Sequence, residues 1–391
     1  MPIADTTIRD LVDFSDELGV LSFYAGHTPA QAADHQPTLP IEIRNQIKAL
    51  RASLAEGDPA VARAVDKRLE ALDGPLDELM NPKSSGRGRA LFVGVESGEH
   101  HAVSLQIPFR ERVVHRDGAY VRPLVAALDE GRPAGILVVS RTGTRLLRWA
   151  VGEATELEGR HFVVYDELLR GKQGPAMANP ARAQQGYVDR DSFEERIDVN
   201  RNRFLREVVE DTVSIAKEER WDRLVVSAPP KLREPMRELA DASDARVLMA
   251  EQLWEDSPPH EIAEAAWTLL RSVHLDRERE LAEEAIDRAL GGQAGAIGLR
   301  HVCEAMNEGR ISHLLYDDEI ELEGFVSEEG TLHPRVEGVI AQSDLELRRE
   351  PWFVERLLET AIGTSASVVP LSGEAARLLD DHEGVAALLR W

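Results

Sequence analysis

The sequence predicts an α/β protein of more than one domain, and three observations support that prediction. The chain has 391 residues, enough for two or three domains of roughly 100–200 residues each. Hydrophobic residues make up 43% of it, so several ordinary cores can form. From about residue 134 onward, short apolar runs typical of strands alternate with longer helical stretches. Such alternation indicates an α/β layer with partly parallel sheets.

The first segment, residues 1–123, begins with an acidic helical stretch and a strand-like run at 20–24 (VLSFY). Two helical stretches follow between residues 41 and 72. The turn at 81–89 (NPKSSGRGR) then leads into a buried-type strand at 90–95 (ALFVGV). These elements predict an N-terminal α/β domain.

The second segment, residues 124–274, opens with a predicted hairpin whose strands are 134–140 and 145–151. A third strand near 154–157 precedes a long polar connection, residues 169–189. The elements predicted after this connection are helix 192–220, strand 223–227, helix 230–242, strand 246–249 and helix 259–273.

The third segment, residues 275–391, repeats the alternation on a smaller scale. Its predicted elements are helices 275–290 and 299–307, strands 311–316, 320–326 and 335–339, helix 351–362, and strands 367–371 and 385–391.

The net charge is −24, with 70 acidic against 46 basic residues, which opposes nonspecific adhesion to nucleic acid. RNA binding would therefore be confined to a local basic face. Cys303 is the single cysteine, so no internal disulfide can form, as expected of a cytoplasmic protein. No apolar run approaches the ~20 residues that span a bilayer, so no membrane partner is expected. No metal-ligand spacing or phosphate-binding loop is present, and we expect no metal or cofactor.

Two stretches of the third segment carry a family resemblance. Residues 304–315 (EAMNEGRISHLL) and 370–391 (PLSGEAARLLDDHEGVAALLRW) resemble the C-terminal domain of archaeal and eukaryotic class-one release factors and Pelota. The bacterial archaeo-eukaryotic release factor families share this pattern. The second segment resembles their central domain in layout. The resemblance implies a three-domain release-factor/Pelota-like architecture, with an RNase H-like mixed sheet in 124–274 and an α/β sandwich in 275–391.

The resemblance also implies where the catalytic loop of such proteins falls, which is at residues 169–189. Release factors carry Gly-Gly-Gln in this loop and use it in peptidyl-tRNA hydrolysis. This loop contains Gly-Lys-Gln-Gly at 171–174 and Gln-Gln-Gly at 184–186, but no Gly-Gly-Gln. The tripeptide Gly291-Gly292-Gln293 instead follows the helical stretch 275–290. Its position predicts a left-handed helix C-cap.

Basic residues concentrate in the loop and in the helix after it. Between 169 and 206, eight cations stand against five anions, a net charge of +3. A salt-bridged helix face is the alternative to RNA contact. A second basic turn at 81–89 is either an RNA contact or an ordinary turn. The predicted RNA-binding residues are Lys83, Arg87, Arg89, Arg170, Lys172, Gln173, Arg182, Gln184, Gln185, Arg190, Arg196 and Arg203.

The resemblance implies a factor that occupies the A site of idle or stalled 70S ribosomes. Its expected partners are the ribosomal RNA of the A site and peptidyl-transferase centre, and a translational GTPase such as elongation factor Tu. The missing tripeptide favours a non-hydrolytic hibernation or protection factor. The alternatives are a Vms-like peptidyl-tRNA hydrolase acting through Gln173 or Gln185, and a stress protein that binds another protein. The sequence leaves open the ribosomal state, the GTPase and the inducing stress.

Overall fold

The computed structural model describes residues 5–27, 39–162, 185–334 and 347–391, without the side chains of 5–7, 185–198 and 240. The chain divides into two compact units. One joins residues 1–132 to residues 274–391, and the other comprises residues 133–273. Helices and four sheets are present among the described residues, which confirms the α/β class. No helix within the described ranges is both long and apolar enough to cross a membrane.

The N-terminal part of the first unit is an antiparallel sheet covered by helices. The strand order is β3-β2-β1-β4. Leu21, Phe23 and Ile43 are among the buried residues between the sheet and the helices. The elements are α1 (Asp5–Val12), β1 (Ser15–Gly26), α2 (Leu39–Ala55), α3 (Pro59–Glu70), α4 (Asp73–Met80), β2 (Gly88–Gly94), β3 (His100–Leu105), β4 (Arg112–Gly118) and α5 (Arg122–Glu130).

The second unit is built on a five-stranded mixed sheet of order β7-β6-β5-β8-β9. β5, β8 and β9 are parallel, while β6 and β7 pair antiparallel. One face packs against α6 to α8, and the other packs against the start of α9. The elements are β5 (Ala134–Val139), β6 (Gly143–Ala150), β7 (Glu153–His161), α6 (Gln185–Glu218), β8 (Arg223–Ser227), α7 (Arg233–Met236), α8 (Glu238–Ala242), β9 (Arg246–Met249) and α9 (Pro259–Leu290).

The C-terminal part of the first unit holds a mixed sheet of order β10-β16-β11-β15 and a small antiparallel sheet of order β13-β12-β14. Helices α10 and α11 bury Val302, Met306 and Leu357 against the mixed sheet. The elements are β10 (Gly295–Ile297), α10 (Leu299–Asn307), β11 (Ile311–Asp317), β12 (Gly324–Ser327), β13 (Leu332–Pro334), β14 (Leu347–Glu350), α11 (Phe353–Gly363), β15 (Ser367–Leu371), α12 (Gly373–Arg377) and β16 (Val385–Leu389).

Arginine side chains of the N-terminal part reach carboxylates of the C-terminal part within the first unit. Arg116 Nη1 lies 2.7 Å from Glu359 Oε1, and Arg116 is fully buried. Arg110 Nη1 lies 3.0 Å from Glu319 Oε1 at the surface. The two ends of the chain therefore share one body, an arrangement that no local pattern in the sequence predicts.

Three predicted helices differ from the structure. The helices predicted at 259–273 and 275–290 form one continuous helix, α9, because no glycine or proline interrupts it at the junction. The helix predicted at 230–242 divides into a 3₁₀ turn and the short helices α7 and α8. The strand predicted at 335–339 lies outside the described residues. The division into three domains remains a prediction.

Candidate RNA-contacting surface

The predicted RNA-contacting loop follows β7 in the chain, and the edge of the central sheet at which β7 ends can be defined from the strand pairing. β7 ends at His161, opposite Gly143 at the start of β6. The amide of Phe162 donates to the carbonyl oxygen of Thr142 over 2.7 Å. Thr142 lies in the turn after β5. β5 is parallel to β8, which is parallel to β9, so the three strands end at the same edge. We call this edge the carboxyl edge.

Helix α6 crosses the carboxyl edge at Phe204. The ring of Phe204 packs on that of Phe162, with centroids 5.7 Å apart. Beyond that point Leu205 and Val208 are buried against the sheet. The helix has 34 residues, or ~51 Å at ~1.5 Å per residue, whereas a five-residue strand spans only ~17 Å. The first part of α6, residues 185–203, therefore extends past the carboxyl edge.

The predicted contacts of this region divide into three groups. Arg203 is described and its side chain is 82% exposed, with Nε 3.3 Å from Glu207 Oε1. The ion pair agrees with the salt-bridged alternative at this position. Gln185, Arg190 and Arg196 belong to the helical backbone of α6, and their side chains lie outside the described residues. The remaining members also lie outside them, namely Arg170, Lys172, Gln173, Arg182 and Gln184.

Arg160, near the end of β7, forms an ion pair with helix α6. Its Nε lies 2.9 Å from Glu158 Oε1, and its Nη1 pairs with Asp211 of α6. The hydrogen bond to Glu158 and the nearby Asp211 raise the pKa of Arg160. Thr144 and Thr212 line the small cleft beneath this contact. No motif in the sequence marks Arg160, because nothing local indicates a partner on a helix so much later in the chain.

The basic turn before β2 has two kinds of cation. Lys83 is exposed, and its amide donates to Asn81 Oδ1 over 3.0 Å. Arg89 is 5% exposed, and it donates from Nη1 to Glu78 O and from Nη2 to Asn81 O, both over 2.7 Å. Burial lowers the pKa of Arg89. Arg89 thus differs from the exposed RNA contact expected of it, because its guanidinium supports the turn. Arg87 is partly buried, and its carbonyl accepts from His27 N over 2.6 Å.

Gly291-Gly292-Gln293 closes helix α9. The amide of Gln293 donates to Arg288 O over 2.8 Å, and that of Gly292 donates to Ala289 O over 3.2 Å. Gly292 has a φ of 67°, in the left-handed region. This pair of bonds around a left-handed glycine is the Schellman motif. The prediction that the tripeptide caps the helix is confirmed.

Comparison with known proteins gives one family match. Residues 120–271 match bacterial archaeo-eukaryotic release factor family 10. This range contains the whole central sheet, the stems of the loop and helix α6. No match to a curated protein was found.

Several solved structures show distant similarity. Pelota from Archaeoglobus fulgidus is 17% identical, with a TM-score of 0.37, over 78% of this chain and 79% of that chain. An archaeal Pelota in a ribosome-bound model is 15% identical, with a TM-score of 0.42, over 78% of each chain. The C-terminal domain of a peptide chain release factor from Methanosarcina mazei is 19% identical, with a TM-score of 0.26, over 36% of this chain and 98% of that chain.

The sequence match spans the strands and the helix on both sides of the loop. The resemblance to the bacterial archaeo-eukaryotic release factor families is thus confirmed over residues 120–271.

Proposed function

We propose that this protein is a ribosome-associated translation factor that occupies the A site of idle or stalled ribosomes without releasing peptide. One observation carries the non-hydrolytic part of the proposal. The Gly-Gly-Gln of this chain is engaged in the cap of α9 through the amides of Gly292 and Gln293. The loop in the position of the family's catalytic loop contains no Gly-Gly-Gln. A factor of this kind would protect the ribosome in hibernation rather than terminate translation.

The charge distribution supports contact with ribosomal RNA of the A site and peptidyl-transferase centre. The chain as a whole carries −24, yet residues 169–206 carry +3. Generic attraction to RNA is therefore weak, and binding is concentrated where the cations are. Arginine and lysine contacts to phosphates would fix the position of the central unit without reading a sequence.

The proposal includes a translational GTPase such as elongation factor Tu as the delivering partner, and a cytoplasmic location. Both rest on the resemblance of the C-terminal segment to release factors and Pelota. The archaeal Pelota mentioned above is itself described as ribosome-bound. A pull-down with elongation factor Tu in its GTP and GDP forms would test this partner. Equal recovery with both forms and with beads alone would remove the GTPase from the proposal.

Co-sedimentation with 70S ribosomes from starved cells tests the core of the proposal. We expect the protein in the ribosome fraction at physiological salt and its release as salt is raised, because phosphate contacts are salt-dependent. Protein that stays wholly in the ribosome-free fraction would contradict the proposal. In that case, a stable association with another protein would favour the third reading, a stress protein that binds a protein partner.

A Vms-like peptidyl-tRNA hydrolase is the second candidate function, favoured by one feature of the sequence. The loop retains glutamines beside glycines, at Gln173 and Gln185. Incubation with 50S–peptidyl-tRNA complexes separates the two functions. Peptide release that is lost in Gln173→Ala or Gln185→Ala, but kept in the control Gln293→Ala, would establish the hydrolase. No release above background would support the non-hydrolytic factor.

A further inference from the structure

The carboxyl edge of the central sheet carries two cations that the loop does not include. Arg141 lies in the turn between β5 and β6, and Lys231 lies in the 3₁₀ turn after β8. Both residues are exposed. Neither has an ion-pair or hydrogen-bond partner for its side chain within the described part of the chain.

The strand pairing brings these two turns together. β5 and β8 are parallel neighbours, with Val138 opposite Ser227 near their ends. The segments that follow both strands therefore emerge side by side. The amide of Phe162, the last described residue before the loop, is bonded to Thr142, next to Arg141. Both cations thus lie on the edge at which β7 ends.

Among the described residues, several carboxylates near this part of the edge are paired with other cations. Glu158 and Asp211 are paired with Arg160, and Glu207 is paired with Arg203. Glu234, just after Lys231, pairs with Arg237 at 3.2 Å. The segment after β9 is acidic, with Glu251, Glu255 and Asp256. The positive part of the edge therefore extends over β6, β5 and β8 and ends there.

The turn around Lys231 is held rigidly. Arg233 donates from Nε to Ala228 O over 3.1 Å, and from Nη2 to Ala250 O over 3.1 Å. Ser227 Oγ donates to Gln252 O over 2.9 Å. Pro229 and Pro230 precede Lys231 and fix the backbone φ. A cation on a preorganised turn loses little conformational freedom on binding, which favours its use as a contact.

We propose that Arg141 and Lys231 bind backbone phosphates of RNA beside the loop and extend the RNA-contacting surface across the carboxyl edge. This inference rests on the proposed function. The occupant is the phosphate backbone, because two exposed cations complement its negative charge. Since phosphate contacts read no base, the contacts would position the central unit.

A matched pair of lysine substitutions tests the inference. Lys231 lies at the carboxyl edge, whereas Lys217, also exposed, lies near the opposite end of the sheet, at the C-terminus of α6. Lys231→Glu and Lys217→Glu make the same charge change in the same unit. We expect Lys231→Glu and Arg141→Glu to weaken 70S binding by about tenfold or more each, and Lys217→Glu to change it by less than about twofold.

Salt dependence distinguishes phosphate contacts from other effects. In neutral variants, Lys231→Gln and Arg141→Gln, the slope of log K against log salt should fall by roughly 0.7–0.9 for each lost contact. Unaltered thermal unfolding would show that the variants fold. Wild-type protein that does not bind ribosomes would remove the proposed function itself.

Two outcomes would overturn the inference while leaving the proposed function intact. The first is wild-type binding that Lys231→Glu and Lys217→Glu affect equally. The second is a loss of binding in Lys231→Gln with an unchanged salt slope, together with cross-links from position 231 to a ribosomal protein rather than to RNA. The second result would assign the edge to a protein partner.

Discussion

Arg122 Nη2 lies 2.9 Å from Glu355 Oε1, and the two side chains are only 4% and 1% exposed. They are not aligned for a hydrogen bond with each other, so their attraction is chiefly Coulombic. Arg122 Nη1 also donates to Ile320 O over 3.0 Å. Burial acts to lower the pKa of Arg122, but Glu355 and the other acidic groups around it together outweigh burial and hold the pKa above its ordinary value. This pair joins helix α5 of the N-terminal part to helix α11 of the C-terminal part.

Removal of the Glu355 carboxylate should destabilise the folded protein. In Glu355→Ala, the guanidinium of Arg122 stays buried and loses its buried counter-charge, keeping only the exposed Glu321 at 3.7 Å, and we expect the free energy of unfolding to fall by about 3–5 kcal/mol. Urea unfolding followed by circular dichroism measures it. Replacing both partners, in Arg122→Met with Glu355→Leu, should recover much of the loss because no charge is left stranded.

The control for that substitution is Glu304, whose pair with Arg300 has a distance of 3.1 Å but lies at the surface, with the arginine 72% exposed. Glu304→Ala should cost at most about 1 kcal/mol. Equal losses in Glu304→Ala and Glu355→Ala would mean that burial does not set the strength of these pairs.

Asp16 should make stability depend on pH. Partial burial acts to raise the pKa of Asp16, but amide donors from Glu96, Ser97 and Leu18 outweigh it, and the pKa is lowered. Glu96 N lies 2.8 Å from Asp16 Oδ1. A depressed carboxyl pKa contributes stability above the unfolded value of ~3.9, and the contribution is lost as pH falls through the folded value.

In Asp16→Asn, we therefore expect a loss of about 1–3 kcal/mol at pH 7 that shrinks as the pH falls below ~4. Thermal unfolding at pH 7 and pH 3 measures the difference. Asp13 is exposed and serves as the control, since Asp13→Asn should be nearly neutral at both pH values. A loss in Asp16→Asn that is the same at both pH values would assign the effect to packing.

Replacing glycine by alanine should change stability in opposite directions at Gly292, in the cap of α9, and at Gly74. Gly292 has a φ of 67° and no heavy atom near its absent Cβ, so Gly292→Ala should cost about 1–2 kcal/mol through backbone strain alone. Gly74 lies in α4 in equally open space without a positive φ, and Gly74→Ala should stabilise by up to about 1 kcal/mol. Thermal unfolding checks both signs.

Gln293→Ala should leave ribosome binding unchanged. Its backbone amide makes the cap, and an alanine retains that amide. Co-sedimentation under the conditions used for the wild type measures it. A large loss of binding would show that the tripeptide has a role beyond ending the helix.

In the turn before β2, substitution of the buried Arg89 should lower stability, whereas substitution of the exposed Lys83 should not. Arg89→Ala removes two guanidinium hydrogen bonds, to the carbonyls of Glu78 and Asn81, and we expect a loss of about 1–3 kcal/mol in the free energy of unfolding. Lys83→Ala should leave stability unchanged and should weaken ribosome binding if this turn touches RNA. Unchanged stability in Arg89→Ala would restore Arg89 as an available contact.

Local elements could be predicted from the sequence because their signals are local. Helix 299–307 and strand 367–371 have the predicted bounds, and the cap at Gly292 follows from one glycine after a helical stretch. Pairings between distant segments could not be predicted in this way. Arg89 and Arg87 look alike in GRGR, and only the fold decides that one is buried. Likewise, no pattern links Arg160 to Asp211 or Arg116 to Glu359.

The order of strands in the C-terminal sheet has a consequence for synthesis. β16 lies between β10 and β11, although it is made after both. Until residues 385–389 leave the ribosome, those two strands lack the neighbour that joins them, and the N-terminal part lacks its full partner surface. The second unit, residues 133–273, is contiguous and can fold while the rest is still being translated. We therefore expect the central unit to resist protease on a stalled nascent chain before either end of the chain does.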